Sequence, residues 1–301
     1  MKKLLLLSNT ALLDHCVPSH PENSQRLKAI LEGLKNSPYL DLSVERLATF
    51  EELTSVHTNE YVEKVFSLEG KEASLDEETL LTAGSVRAAK MAAGIGLELT
   101  EQILSGKVQT GFALVRPPGH HAKSSEGMGF CIFNNIAIAA KKALSLGLKR
   151  ILILDFDVHH GNGTEEMFFG DDRVLFVDLH QDNLFPLGSG EKSISNIINI
   201  PLPPDSTDDD YLTVFNTVVK PLALKYKPEI ILVSAGFDAH ESDPLGFMKI
   251  TTEGYGLLVS KIKDLASGVC GGKLLFFLEG GYDTHCLAKN VLESVRVLAT
   301  T

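Results

Sequence analysis

The sequence predicts an α/β fold: a single domain with a mainly parallel central sheet flanked by helices. Three observations carry that prediction. Short runs are apolar without alternation, the pattern of strands covered on both faces. Longer amphipathic stretches separate them, as the helices of α/β folds do. The residues with chemistry cluster directly after the apolar runs, where open α/β sheets bind ligands.

The strand candidates are Lys3–Ser8, Gly111–Arg116, Arg150–Asp157, Val174–His180, Ile197–Leu202, Glu229–Ala235 and Lys273–Leu278. The opening Met1–Leu7 imitates a signal peptide, but its apolar run is short. Asp14 and His15 follow without a small-residue cleavage site, so it reads as a buried strand. The helix candidates are Glu22–Asn36, Asn59–Ser67, Glu77–Ser105, Asn135–Leu146, Asp208–Tyr226, Thr252–Ala266 and His285–Leu298. Asn134 or Asn135, and Thr251 or Thr252, stand where N-caps belong. No internal repeat, low-complexity tract or linker interrupts this rhythm, so residues 1–301 are expected to form one domain.

Composition narrows the function. The chain has 301 residues, 44% of them apolar, enough for a substantial core. With 28 Lys and Arg against 39 Asp and Glu the net charge is −11, which disfavours sequence-independent nucleic-acid binding. No apolar stretch approaches the ~20 residues that cross a bilayer, so no membrane partner is expected. The four cysteines, Cys16, Cys131, Cys270 and Cys286, lack metal-finger spacing and are too few for a disulfide scaffold. Reduced thiols and a cytoplasmic location are the expectation.

Four apolar runs end in unusual residues. Gly111–Arg116 leads into Pro117-Pro118-Gly119-His120-His121, and Arg150–Asp157 ends in Asp155-Phe156-Asp157-Val158-His159. Glu229–Ala235 leads into Gly236-Phe237-Asp238, and Lys273–Leu278 into Glu279-Gly280-Gly281-Tyr282. In an extended chain the spacing of two turns Asp155, Asp157 and His159 to one face. Carboxylates and an imidazole on one face, with no basic residue between them, call for a cation. Asp238 would add a ligand from another strand end. Such an oxygen and nitrogen set suits Zn²⁺ with open positions, and Fe²⁺ or Co²⁺ also fit. A bound ion lowers the pKa of water from 15.7 to as low as about 7 and polarises a carbonyl. His120 and His121 would then supply a proton shuttle and Tyr282 an oxyanion donor, the parts of metal-assisted amide or ester hydrolysis. Other motifs fail. Gly94-Ile95-Gly96 lacks the third glycine of a dinucleotide site, Gly268 to Lys273 lacks P-loop spacing, and no Gly-x-Ser-x-Gly elbow occurs. Cys131 reads as a buried, inert thiol.

These segments, with Gly129-Phe130-Cys131-Ile132-Phe133-Asn134-Asn135, Gly161-Asn162-Gly163-Thr164 and the N-terminal His20-Pro21-Glu22 and Arg26-Leu27, resemble the zinc-dependent histone deacetylase superfamily across nearly the whole chain. In detail they look like its class II branch and the bacterial histone deacetylase-like amidohydrolases. The resemblance implies the arginase/deacetylase fold and one zinc ion on Asp157, His159 and Asp238. It implies that Asp155 orients His120, that His121 shuttles the proton with His120 as electrostatic partner, and that Tyr282 polarises the carbonyl. Gly129, Phe130 and Phe185 would wall a tunnel for an acyl-lysine side chain. A structural K⁺ near Asp155, Asp157, His159 and Leu179 is implied too, although Asp178 stands where Ser is often found. Asn162 replaces the second Asp of class I members. An amide cannot raise a neighbouring imidazole's pKa as a carboxylate does, so His121 is expected to be neutral near pH 7. Arginases carry Asp-x-His-x-Asp and two manganese ions; Asp157-x-His159-x-Gly161 points to one metal.

The reading is a deacylase acting on N-acetyl-lysine in proteins or peptides. Deacetylation of acetylated polyamines is the alternative enzyme activity, and a catalytically silent acyl-lysine-binding module the alternative of another class. Leu245 bears on the first choice. Polyamine deacetylases resemble the segment Asp243-Pro244-Leu245-Gly246 but carry Glu at the Leu245 position, where it pairs with a distal ammonium.

Overall fold

The computed structural model describes residues 2–300. Among the described residues are ten strands: β1 (Lys2–Leu7), β2 (Leu40–Asp41), β3 (Ala73–Ser74), β4 (Leu80–Leu81), β5 (Val108–Ala113), β6 (Ile151–Asp155), β7 (Val174–Gln181), β8 (Ile197–Leu202), β9 (Ile230–Ala235) and β10 (Leu274–Leu278). Eight of them form one sheet in the order β2-β1-β5-β10-β9-β6-β7-β8, and every neighbouring pair is parallel. β3 and β4 make a separate antiparallel pair. Strands β6, β7, β9 and β10 are buried at every position, which is why they read as continuous apolar runs. Helices cover the sheet in two groups, Ser85–Leu104 against Asn135–Ser145, and Ser24–Leu34 and Thr252–Cys270 against Thr284–Ala299. The result is one domain with a central, mainly parallel sheet between helical layers.

The caps follow the side-chain chemistry. Asn134 accepts the amide of Ala137, and Thr251 that of Gly254, so each begins its helix. Several boundaries differ from the expected ones. The helix expected over Glu77–Ser105 begins only at Ser85. Asp76 Oδ1 takes the amides of Glu78 and Thr79, and Leu80–Leu81 pairs with β3, so local side-chain bonding displaces the first turns. The expected helix Asp208–Tyr226 keeps its bounds and stays continuous, but widens to a π turn at Phe215–Val219. Pro221 has no amide hydrogen for the carbonyl four residues back, and the wide turn accommodates that. The strand expected over Arg150–Asp157 stops at Asp155. Beyond it Asp155 Oδ1 accepts the amide of Asp157, and Asp157 Oδ1 that of His159. Two side-chain turns, not extended alternation, therefore aim these residues. The strand expected over Gly111–Arg116 lies three residues earlier, at Val108–Ala113, and a helix at Asn162–Phe168 was not foreseen.

Candidate active site

Sheet order assembles the site. Strands β5, β10, β9 and β6 are consecutive neighbours. Their carboxyl ends therefore place His120 and His121, Tyr282, Asp238, and Asp155 to His159 side by side.

Asp157, His159 and Asp238 offer donor atoms that all lie within 4.8 Å of one another, the single such His/Cys/Asp/Glu group among the described residues. His159 Nδ1 sits 3.1 Å from both Asp157 Oδ1 and Asp238 Oδ2. The other oxygens are tied back to the chain: Asp157 Oδ2 accepts the Gly280 amide at 2.8 Å, and Asp238 Oδ1 the Val158 amide at 2.9 Å. A Cβ at residue 280 would stand 1.9 Å from Asp238 Oδ2 and 2.6 Å from Asp157 Oδ2, so glycine is required there. Electrostatics describe the same cavity for a cation. Burial alone would lower the His159 pKa, but hydrogen bonds and charge from Asp157 and Asp238 raise it to about 10. Without metal, a proton on His159 compensates the two carboxylates. Two oxygens and one nitrogen, fixed by backbone and converging, fit a divalent ion such as zinc.

The two adjacent histidines are set apart electrically. Asp155 Oδ2 lies 3.0 Å from His120 Nδ1, and Asp157 Oδ1 lies 3.8 Å from His120 Nε2. Burial opposes protonation of His120, but Asp155 and Asp157 outweigh it and hold the imidazole well above its usual range. His121 Nδ1 faces Asn162 Oδ1 at 2.8 Å. Burial first, then the charges of His120 and His159, push His121 well below its usual range. Asp155 is itself pushed up by burial, eased by His120 and aggravated by Asp178.

A cavity of about 400 Å³ reaches His121, His159 and Tyr282, and Gly129, Phe130, Phe185 and Leu245 line it. Phe185 stands edge-on to His121, ring centroids 5.2 Å apart at 87°. A Cβ at residue 129 would meet His121 Cδ2 at 2.5 Å and Phe185 Cε1 at 2.9 Å, so glycine keeps the passage open. Phe130 packs edge-on to Tyr282, centroids 5.8 Å apart. Burial pushes the Tyr282 phenol well above its ordinary range; Asp238 adds to this and Arg26 opposes it. Cys131 is buried, and burial with the nearby Glu279 charge raises its thiol pKa far from the reactive range.

The structure adds residues to which the sequence analysis assigned no role. Glu22 is buried and binds Arg116 through both carboxylate oxygens, and Arg26 through one. Arg26 in turn donates to the carbonyls of Gly281 at 2.6 Å and Glu279 at 2.5 Å. Glu279 Oε2 accepts the amides of Gly119 and His120. His20, Glu77, Glu78 and Leu184 also line the cavity. The only sequence signal for Glu22, Arg26 and Glu279 was their place in the runs that carry the resemblance.

Comparison with known proteins places this geometry. The histone deacetylase domain model matches residues 20–298. Histone deacetylase 14, chloroplastic, of Arabidopsis thaliana is 40% identical over 98% of this chain and 76% of its own length. A probable deacetylase of Archaeoglobus fulgidus is 38% identical over 89% of this chain and 78% of its own. The crystal structure of the HDA15 HD domain superposes with a TM-score of 0.91 at 36% identity, covering 99% of this chain and 90% of that one. A match of that extent, over a fold and an amide-hydrolase site of this kind, means that the chain belongs to the histone deacetylase family of hydrolases.

Proposed function

We propose that residues 1–301 act as one class II-like, zinc-dependent catalytic domain that removes acetyl groups from N-acetyl-lysine in proteins or peptides. The observation that carries this is the cavity: apolar Phe130, Phe185 and Leu245 line it together with His121, His159 and Tyr282. An acyl-lysine stem is apolar along its length and polar at its amide, which matches that mixed lining. Bound to Asp157, His159 and Asp238, the ion supplies an acidified water and a Lewis acid for the carbonyl.

The protein's own groups do the rest. Asn162 Oδ1 accepts from Nδ1–H of His121, which leaves Nε2 free to take the proton of the attacking water and return it to the leaving amine. His120, held cationic by Asp155, steadies developing negative charge. Tyr282 donates its hydroxyl to the oxyanion. A structural K⁺ near Asp155, Asp157, His159 and Leu179 belongs to the same reading. The buried Asp178 carboxylate, which repels Asp155, is a reason for a cation there. Four unpaired cysteines favour a reducing compartment, and we place the protein in the cytoplasm. Among the described residues no helix is long and apolar enough to cross a membrane.

The test is a panel of acetyl-lysine peptides, longer acyl-lysine peptides and acetylated polyamines compared by kcat/KM. Acetyl-lysine peptides are expected to lead. Leu245 lines the cavity and offers nothing to a distal ammonium. Losing a charge-assisted contact costs roughly 1.5–3 kcal/mol, so Leu245→Glu is expected to raise kcat/KM for acetylspermidine relative to the peptide by about 10–100-fold. A higher kcat/KM for acetylspermidine in the unmutated protein would overturn the lysine reading in favour of the polyamine one.

The His121 assignment has its own pH signature. Asn162→Asp puts a carboxylate against Nδ1, which favours the imidazolium and raises the His121 pKa. A base must be neutral to act, so the acid limb of the kcat/KM profile is expected to move to higher pH, with activity lost first on the acidic side. An unmoved acid limb would remove His121 from the proton path.

A further inference from the structure

We infer that Asp243 is a positioning residue that locks the segment carrying Leu245 to the segment carrying Tyr282, so that these two parts of the cavity lining are set together. The inference rests on the reading of Tyr282 as the oxyanion donor.

Asp243 is 8% exposed. Its Oδ2 accepts the amide of Tyr282 at 2.6 Å and that of Asp283 at 3.3 Å, while Oδ1 accepts the amide of Leu245 at 3.0 Å. Among the described residues no Lys, Arg or His pairs with it. A buried carboxylate without a cation is expensive; burial and the Asp238 charge raise the Asp243 pKa to about 7, and three main-chain amides oppose that shift in part. A serine or asparagine would cap either turn at lower cost. What only a carboxylate does is accept on both oxygens at once, toward two segments that are distant in sequence.

The second observation concerns Arg26. Arg26 holds the carbonyls of Glu279 and Gly281, and its guanidinium carbon lies 5.1 Å from the Tyr282 ring centroid. The residues leading to the phenol are thus gripped by their carbonyls from Arg26 and by their amides from Asp243. Loosening one grip lets the hydroxyl drift, and a misplacement of about 1 Å can cost ~10²-fold in rate. Because Leu245 hangs on the same carboxylate, the drift changes the wall as well.

The experiment uses Asp243→Asn, which keeps the volume but turns an NH₂ toward one set of amides, and Asp243→Ser, which withdraws the second acceptor. Amide hydrogen exchange on the full chain is expected to quicken at least tenfold at Leu245, Tyr282 and Asp283, while the Gly280 amide, held by Asp157, stays unchanged. With an acetyl-lysine peptide, Tyr282→Phe is expected to cost ~10²–10³ in kcat in the parent and less than tenfold in either Asp243 variant. Unchanged exchange at Tyr282 and Asp283, or the same Tyr282→Phe factor in both backgrounds, would overturn the inference. If Tyr282→Phe cost nothing in the parent, the oxyanion reading would fail, and the exchange data would still decide whether Asp243 locks the two segments.

Discussion

Asp238→Ala is expected to abolish tight binding of a divalent ion and, with it, nearly all amidase activity. Three side chains converge on one point, and His159 Nδ1 lies 3.1 Å from each carboxylate. Losing an outer-shell partner alone commonly costs about 10–100-fold in metal affinity, so losing a ligand is expected to cost at least that. Asp238 Oδ1 also holds the Val158 amide, so Asp238→Asn is the companion variant that keeps an acceptor while removing the charge. Melting temperature separates metal loss from misfolding. An ion at 1,000 times its dissociation constant stabilises the native state by about 4.1 kcal/mol, so added Zn²⁺ should raise the melting temperature of the parent and not of either variant. Proton linkage gives a further sign. Without metal the His159 pKa is raised to about 10, so that state carries a proton on the ring across neutral pH. Binding requires the neutral ring and releases that proton, so affinity should rise with pH and level off above about 10. Calorimetry in buffers of different ionisation enthalpy reads the released proton directly. Full metal content and undiminished turnover in Asp238→Ala would remove these residues from the site.

The sheet was legible because strands such as Ile151–Asp155 and Leu274–Leu278 bury both faces and leave an unbroken apolar run. The site was legible as a set of strand ends carrying His, Asp and Tyr. Strand adjacency was not: β10 lies between β5 and β9, an order made by crossovers that local pattern does not encode. Spacing grouped Asp155 with Asp157 and His159, whereas Asp155 turns its Oδ2 to His120 and the ligand set forms without it. Phe185 sits in a loop with no periodicity to reveal it, and only the resemblance named it. Asp243 left no chemical signal because its partners are main-chain amides, which any sequence supplies. The π turn had a visible cause in Pro221, but a proline inside an amphipathic stretch does not say whether the helix will break, kink or widen.

Tyr282→Phe is expected to lower kcat by ~10²–10³, or ~2.7–4 kcal/mol, the usual effect of deleting one oxyanion donor, with little change in KM. The ring is held independently of its hydroxyl. Phe130 packs edge-on to it, Arg26 lies over its face, and Asp243 holds its amide. Phenylalanine keeps all three contacts, so the variant should fold, bind metal and admit the acyl-lysine stem as before. What it loses is a donor in the cavity lining that also includes His121 and His159. The burial that pushes the Tyr282 phenol pKa upward keeps the group protonated at neutral pH, the form a donor needs. Only the state with charge on the carbonyl oxygen gains fully from that donor, so the loss falls on kcat rather than on binding. Steady-state kinetics with an acetyl-lysine peptide, beside metal content and melting temperature, check it. An unchanged kcat would reduce Tyr282 to a packing residue and favour an acyl-lysine-binding module over an enzyme. A rise in KM alone would make it a substrate-binding group with no part in the chemical step.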